Sequence, residues 1–363
     1  MTATATRDKR VEIAIHNWAP RFVSAGVPLA DFEEVTAGIE RWDEWCAAWS
    51  RRGADHEALG REALAQDYKL SAAAHYTRAA LCYHFGKFMF VHDVAEMRRA
   101  HQKVVECRGI ALPMQDPPGE RVAISYEGTK LYGILRKPAG VAKPPIVIMC
   151  AGLDSTKEEF DVYEEICLAR GLATLAFDGP GQGEAEYELP IRGDYEVAVK
   201  AVVDYIETRK DVDAARIAVM GISLGGYYAP RAAAFEKRIK ACVSLSGPYS
   251  WLEIFEGRNE LSREAFRVRS HCKTMEAARE VAKTLTLNGV ARNIECPIYI
   301  VAGEHDHLTP PENAKRIAAE VGGPCELNLV IGGNHVANNR RYAYQTQAAD
   351  WLARQLGAQT TYD

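Results

Sequence analysis

Long apolar runs are missing from this chain of 363 residues. The best continuous one, "IVIMCAGL", falls far short of the ~20 residues that a membrane-crossing helix needs. The opening "MTATATRDKR" lacks the apolar core of a secretion signal, so a cytoplasmic protein with no membrane partner is expected. Dense Lys/Arg blocks are missing too. Acidic residues (49) outnumber basic ones (44) for a net charge of −5, which argues against nucleic acid as a partner. The nine cysteines include no C-x-x-C pair and no spacing that suggests zinc or redox chemistry. Cys150, Cys167 and Cys242 lie inside apolar segments and read as reduced core residues. Proline is scarce from about residue 28 to 108, which leaves that stretch free to form helices.

That stretch has helical texture, with Ala, Leu, Glu, Arg and aromatics recurring at three- and four-residue spacing. In "HEALGREALAQDYKLSAAAHYTRAALCYHFGKF" the residues Leu64, Tyr68, Ala72, Tyr76, Ala79 and Tyr83 can share one face. Trp42, Trp45, Trp49, Phe85, Phe88 and Phe90 read as helix-packing residues rather than a ligand box. The Pro/Gly-rich segment "LPMQDPPGER" then marks a boundary, giving an all-helical domain over 1–117 and a second domain over 118–363. In the second domain "RVAISYE" and "KLYGILRKP" read as a hairpin pair. The strands "PPIVIMCAG", "LATLAFD", "RIAVMG", "KACVSLSG", "PIYIVAG" and "ELNLVIG" follow, alternating with helices. One of these helices is expected from Thr156 to about Arg170. The pattern predicts an α/β fold with a mostly parallel, eight-stranded sheet and helices on both faces. About 50 residues separate "KACVSLSG" from "PIYIVAG", more than a crossover requires, so a helical, lid-like insertion is expected at about 248–292.

Chemistry enters at "AVMGISLGGYY". Gly221-Ile222-Ser223-Leu224-Gly225 matches G-x-S-x-G, with an apolar strand before it and an Ala-rich helix after it. A nucleophile at such a corner is held in an unfavourable backbone conformation, and the flanking glycines leave room where strand and helix nearly touch. The turn exposes Ser223 Oγ and aims the Leu224 amide at a developing oxyanion. A serine of this kind needs an acid and a base further along. Asp306 in "VAGEHDHLTP" and His335 in "LVIGGNHVANN" each follow a buried strand, so they converge with Ser223 on one sheet edge. The second oxyanion donor is expected from "AGLDSTKEEF", at the amide of Leu153. Asp178 in "DGPGQGEAE" reads as structural. His305 and His307 flank Asp306 on the opposite side, and neither a metal nor a cofactor is expected.

These residues resemble the α/β-hydrolase superfamily from about residue 118 to the end. The leading helical domain with "AGLDSTKEE", "FDGPGQGE", "GISLGGYYAPRAAA" and "GGNH" is similar to a narrower group active in bacterial nicotine breakdown and in shortening fungal polyketides. The resemblance implies cleavage of a carbon–carbon bond beside a ketone in a small-molecule substrate, with Ser223, Asp306 and His335 as a triad. It implies a helical part that covers the active site, and a homodimer. It also implies an assisting glutamate after the sixth strand, for which "SGPYSWLEIFEGRNE" offers Glu256, with Glu253 as the other candidate. Glu256 would protonate the departing carbon if burial raised its pKa. Two other readings stay open at this point: a carboxylesterase or amidase using the same machinery, and a ligand-binding protein on a hydrolase scaffold.

Overall fold

A computed structural model describes residues 7–358. The chain divides into two compact units between Pro118 and Gly119.

The first unit is all-helical: α1 (Lys9–Ala25), α2 (Leu29–Ala37), α3 (Trp45–Ala65), α4 (Lys69–Lys87) and α5 (Val94–Ala111). Its aromatic residues pack on one another. Phe22 stacks on Phe85 at 3.8 Å between ring centroids and Trp42 on Trp45 at 5.1 Å, while Trp45 Nε1 donates to the Phe85 carbonyl. The α3 positions Gly53 and Gly60 let α4 approach closely. A Cβ on either would come within 2.9 Å of the ring of Tyr83 or Tyr76. The face expected to run on from Leu64 is interrupted. Asp67 adopts φ +58, the Tyr68 amide bonds back to the Ala63 carbonyl, and Leu64 and Tyr68 are exposed where the chain reverses. Ala72, Tyr76, Ala79 and Tyr83 are buried along α4 as expected.

The second unit contains, in order, β1 (Gly119–Tyr126), β2 (Thr129–Arg136), β3 (Pro145–Cys150), α6 (Asp161–Leu168), β4 (Ala173–Asp178), α7 (Glu196–Thr208), β5 (Asp213–Ile222), α8 (Gly225–Phe235), β6 (Ile239–Leu245), α9 (Trp251–Phe255), α10 (Glu260–Arg269), α11 (Met275–Thr284), β7 (Ile298–Gly303), α12 (Glu312–Glu320), β8 (Cys325–Val330) and α13 (Gln345–Leu356). The eight strands form one sheet in the order β1-β2-β4-β3-β5-β6-β7-β8. β1 with β2 and β2 with β4 run antiparallel, and the remaining pairs are parallel. β3, β4 and β7 are buried at every position, as strands covered on both faces should be. Side chains alternate between the faces. Val147, Met149, Ala218, Met220, Val243 and Val301 share one core with Tyr163 of α6 and Leu352 of α13. Gly221, of the other parity on β5, faces α8.

The expected helix from Thr156 starts late. Residues 157–160 form a tight 3-10 turn because the amide and the ammonium of Lys157 both bond Asp178, and α6 begins at Asp161. The expected insertion is helical and consists of α9, α10 and α11. Among the described residues no helix is long and apolar enough to cross a membrane.

Candidate active site

β5 ends at Ile222 and α8 begins at Gly225, so Ser223 sits in the sharpest part of the turn, at φ +57. The two glycines are sterically required. A Cβ on Gly221 would lie 1.8 Å from the Gly225 carbonyl oxygen, and one on Gly225 would lie 2.1 Å from the Cys150 carbonyl oxygen. The Ser223 amide donates to the Leu245 carbonyl at 2.8 Å, which fixes the corner against β6. A strained backbone conformation holds only where its surroundings over-determine it, and these contacts do that.

His335 Nε2 lies 2.8 Å from Ser223 Oγ, and His335 Nδ1 lies 2.8 and 3.0 Å from the two carboxylate oxygens of Asp306. An ionised carboxylate only accepts, so Nδ1 carries the proton and Nε2 is left to accept from the serine hydroxyl. Asp306 is buried, and burial alone would raise its pKa. The His335 ring, the Thr309 amide and the Ser246 hydroxyl outweigh that and hold it below the usual carboxylate range. The Leu308 and Thr309 amides donate to its Oδ1 at 3.0 and 2.8 Å. The loops carrying Asp306 and His335 are tied together. The His305 amide donates to the Gly333 carbonyl, and Gly303 leaves no space for a Cβ against the Asn334 carbonyl. Ser246 Oγ accepts from the Val336 amide at 3.0 Å while bonding Asp306.

The loop after β3 runs beside Ser223. Gly152 lies so close that a Cβ there would be 3.3 Å from Ser223 Cβ. Gln182 Nε2 donates to the carbonyls of Ala151 and Gly152, and Tyr195 donates to Gln182 Oε1. With those carbonyls turned to Gln182, the next amide in the loop, that of Leu153, gives its hydrogen to no acceptor among the described residues. The amide of Leu224 likewise has none. Behind this loop Lys157 Nζ meets Asp178, Glu158 and Glu184 at 2.7 to 2.9 Å. Asp178 thus has the structural part expected of it. Lys157, Gln182 and Ser246 were not singled out from the sequence, because their partners lie about 20 to 90 positions away.

Glu256 stands apart from this arrangement. It is exposed and paired with Arg279 and Arg263. The hydrogen bond from Arg279 lowers its pKa. The burial-raised acid that the assisting role required is therefore not found at this position. Glu253 is also exposed and pairs with Arg316. His305 and His307 are exposed on either side of buried Asp306. In the helical unit Asp31, His56 and Cys82 bring an oxygen, a nitrogen and a sulphur within 4.8 Å. Asp31 already accepts from His56 and Arg52 there, so the group reads as a charge-paired network.

A mostly parallel eight-stranded sheet with a serine at a strained strand-to-helix corner, bonded to a histidine and through it to an aspartate, defines an α/β-hydrolase. The chain belongs to the FrsA-like esterase family, whose model, described as "Esterase FrsA-like", matches residues 31–357. It is 34% identical over 354 residues to the 2,6-dihydropseudooxynicotine hydrolase of Paenarthrobacter nicotinovorans, covering 96% of this chain and 94% of the relative. The crystal structure of a 2,6-dihydroxy-pseudo-oxynicotine hydrolase superposes with a TM-score of 0.85 at 34% identity, over 94% of this chain and 96% of the other. The 20-hydroxy-prefusarin hydrolase of Gibberella moniliformis is 34% identical over 230 residues, 60% of this chain and 55% of its own.

Proposed function

We propose that the protein is a serine-nucleophile hydrolase that breaks a carbon–carbon bond beside a ketone, in an acyl-aromatic or β-diketone-like substrate. The observation that carries the reading is the unbroken chain of hydrogen bonds from Ser223 through His335 to Asp306. The near full-length similarity to a hydrolase named for 2,6-dihydropseudooxynicotine supports the choice of bond. His335 accepts the hydroxyl proton as Ser223 Oγ attacks the ketone, and the amides of Leu153 and Leu224 hold the oxyanion. As the intermediate collapses, the bond electrons leave with the departing carbon. The imidazolium of His335 protonates that carbon, and water activated by His335 then releases the acid from Ser223. The free cysteines along the sheet fit a cytoplasmic setting.

The test is to follow the ultraviolet absorbance of benzoylacetone and of a 2,6-dihydroxyphenyl alkyl ketone, with 4-nitrophenyl acetate alongside. Hydrolysis of at least one ketone to its acid is expected, with kcat falling by about 10⁴-fold or more in Ser223→Ala. Rapid turnover of the ester with neither ketone consumed would replace this reading by a carboxylesterase, which the family description favours.

A further inference from the structure

Arg258 lies in the turn between α9 and α10 with only 5% of its surface exposed. Removing a guanidinium from water is costly unless an anion meets it. Among the described residues no carboxylate comes within ion-pair distance of Arg258. Its hydrogen-bond contact is a long 3.4 Å approach to Thr309 Oγ1, its Nε has no acceptor, and its flat face lies 4.0 Å from the centre of the Trp251 ring. The other fully buried arginines of this unit differ, because Arg136 pairs with Glu165 and Arg269 with Glu186. Burial lowers the pKa of Arg258 to about 10, so it remains charged at neutral pH.

Its position relative to Ser223 follows from the sheet. The guanidinium reaches Thr309 Oγ1, and the Thr309 amide donates to Asp306, which through His335 meets Ser223. Asp306 and Asp154, on the loops after β7 and β3, are the carboxylates whose charge acts on it, and β5, which delivers Ser223, and β6 run between those strands. Arg258 thus stands on the sheet edge that carries Ser223. Asp306 cannot neutralise it by contact, since its oxygens are taken by His335, two amides and Ser246.

We infer that Arg258 is the anion-recognition residue of this site: its guanidinium binds an ionised oxygen, either a carboxylate of the substrate or the enolate oxygen that forms as the bond breaks, so that the substrate is an organic anion or becomes one on cleavage. The inference rests on the hydrolase reading for the location of the site and narrows its substrate class. It also suits the carbon–carbon chemistry. With the carbonyl beside the departing carbon in its keto form, the electron pair of the breaking bond to the acyl group passes to that carbon and delocalises onto the carbonyl oxygen, which becomes the enolate oxygen that the guanidinium holds. The imidazolium of His335 then gives that carbon a proton while the acyl group stays on Ser223.

Calorimetric titration of the Ser223→Ala protein at neutral pH tests this, with benzoate, with cyclohexane-1,3-dione as its enolate, and with neutral benzamide. At least one anion is expected to bind more than about tenfold tighter than benzamide, and which one does so tells carboxylate from enolate. Adding Arg258→Met should weaken that anion about 30-fold or more. Arg258→Lys keeps the charge but loses the planar fork, and should weaken it about tenfold even if the methionine variant does not fold. Binding of neither anion, equal binding of anion and amide, or unchanged affinity in a folded Arg258 variant would overturn the inference. Hydrolysis of 4-nitrophenyl acetate by the wild type is read separately. Absence of turnover of this ester and of both ketones would count against the hydrolase reading and leave the binding result standing.

Discussion

The Ser246 hydroxyl serves both loops that build the relay, accepting from the Val336 amide at 3.0 Å and donating to Asp306. Ser246 also holds φ +49, a conformation that glycine adopts without strain. Ser246→Gly relieves that strain but leaves the Val336 amide without its acceptor, so the melting temperature should change little while kcat drops about tenfold at constant KM. Losing the hydrogen bond to Asp306 removes one of the contacts that keep Asp306 ionised, so its pKa rises. Steady-state kinetics at neutral pH, read beside a thermal melt, check both rate and stability. A fall in stability with kinetics unchanged would make Ser246 a packing residue only. The approach of Ser223, His335 and Asp306 to one another could be read from the sequence because each follows a recognisable strand. Ser246 could not, since nothing local distinguishes it from Ser244 two positions earlier, which donates to the Gly226 carbonyl instead. Glu256 and Arg258 sit in one polar stretch, and only tertiary packing decides that the first is exposed and the second buried.

At the scale of elements, hydrophobic patterning identified all eight strands: β3, β4 and β7, covered on both faces, carry continuous apolar runs, while the edge strand β1 alternates buried and exposed positions. Helix starts and stops were less legible, because they depend on single backbone choices. Asp67 at φ +58 separates α3 from α4, and the bond of Lys157 to Asp178 tightens the chain before α6. The start of α1 shows a local device at work. The Asp8 carboxylate accepts from the Arg10 amide at 2.8 Å and from the Arg10 guanidinium, and its pKa falls to about 2, chiefly through that side-chain bond. Asp8→Ala should cost about 1 kcal/mol. A pKa depressed on folding contributes stability that is present above the ordinary carboxylate value and lost as pH falls toward 2. The difference between wild type and variant in urea unfolding should thus hold from pH 7 to about 4 and shrink below that. A difference independent of pH would show that the carboxylate charge is not involved.

Across the whole molecule, the site joins residues that are far apart in the chain. Ser223 and His335 are 112 positions apart, and His335 and Asp306 are 29 apart. What unites them is topology: parallel strands β5, β7 and β8 all present their carboxyl ends on one edge of the sheet. The change of texture near "LPMQDPPGER" was legible because the first unit has helical spacing and the second alternates strand with helix. The recognition proposed for Arg258 was not, since it depends on which polar side chains of the 248–292 stretch are turned inward. The account depends most on Ser223 being an activated nucleophile, and the direct measurement is intact-mass and peptide spectrometry after exposure to diethyl 4-nitrophenyl phosphate. One diethylphosphoryl group on the peptide carrying Ser223 is expected, absent in Ser223→Ala and formed far more slowly in His335→Ala. A folded wild-type protein that stays unmodified, or that carries the group on another residue, would contradict it.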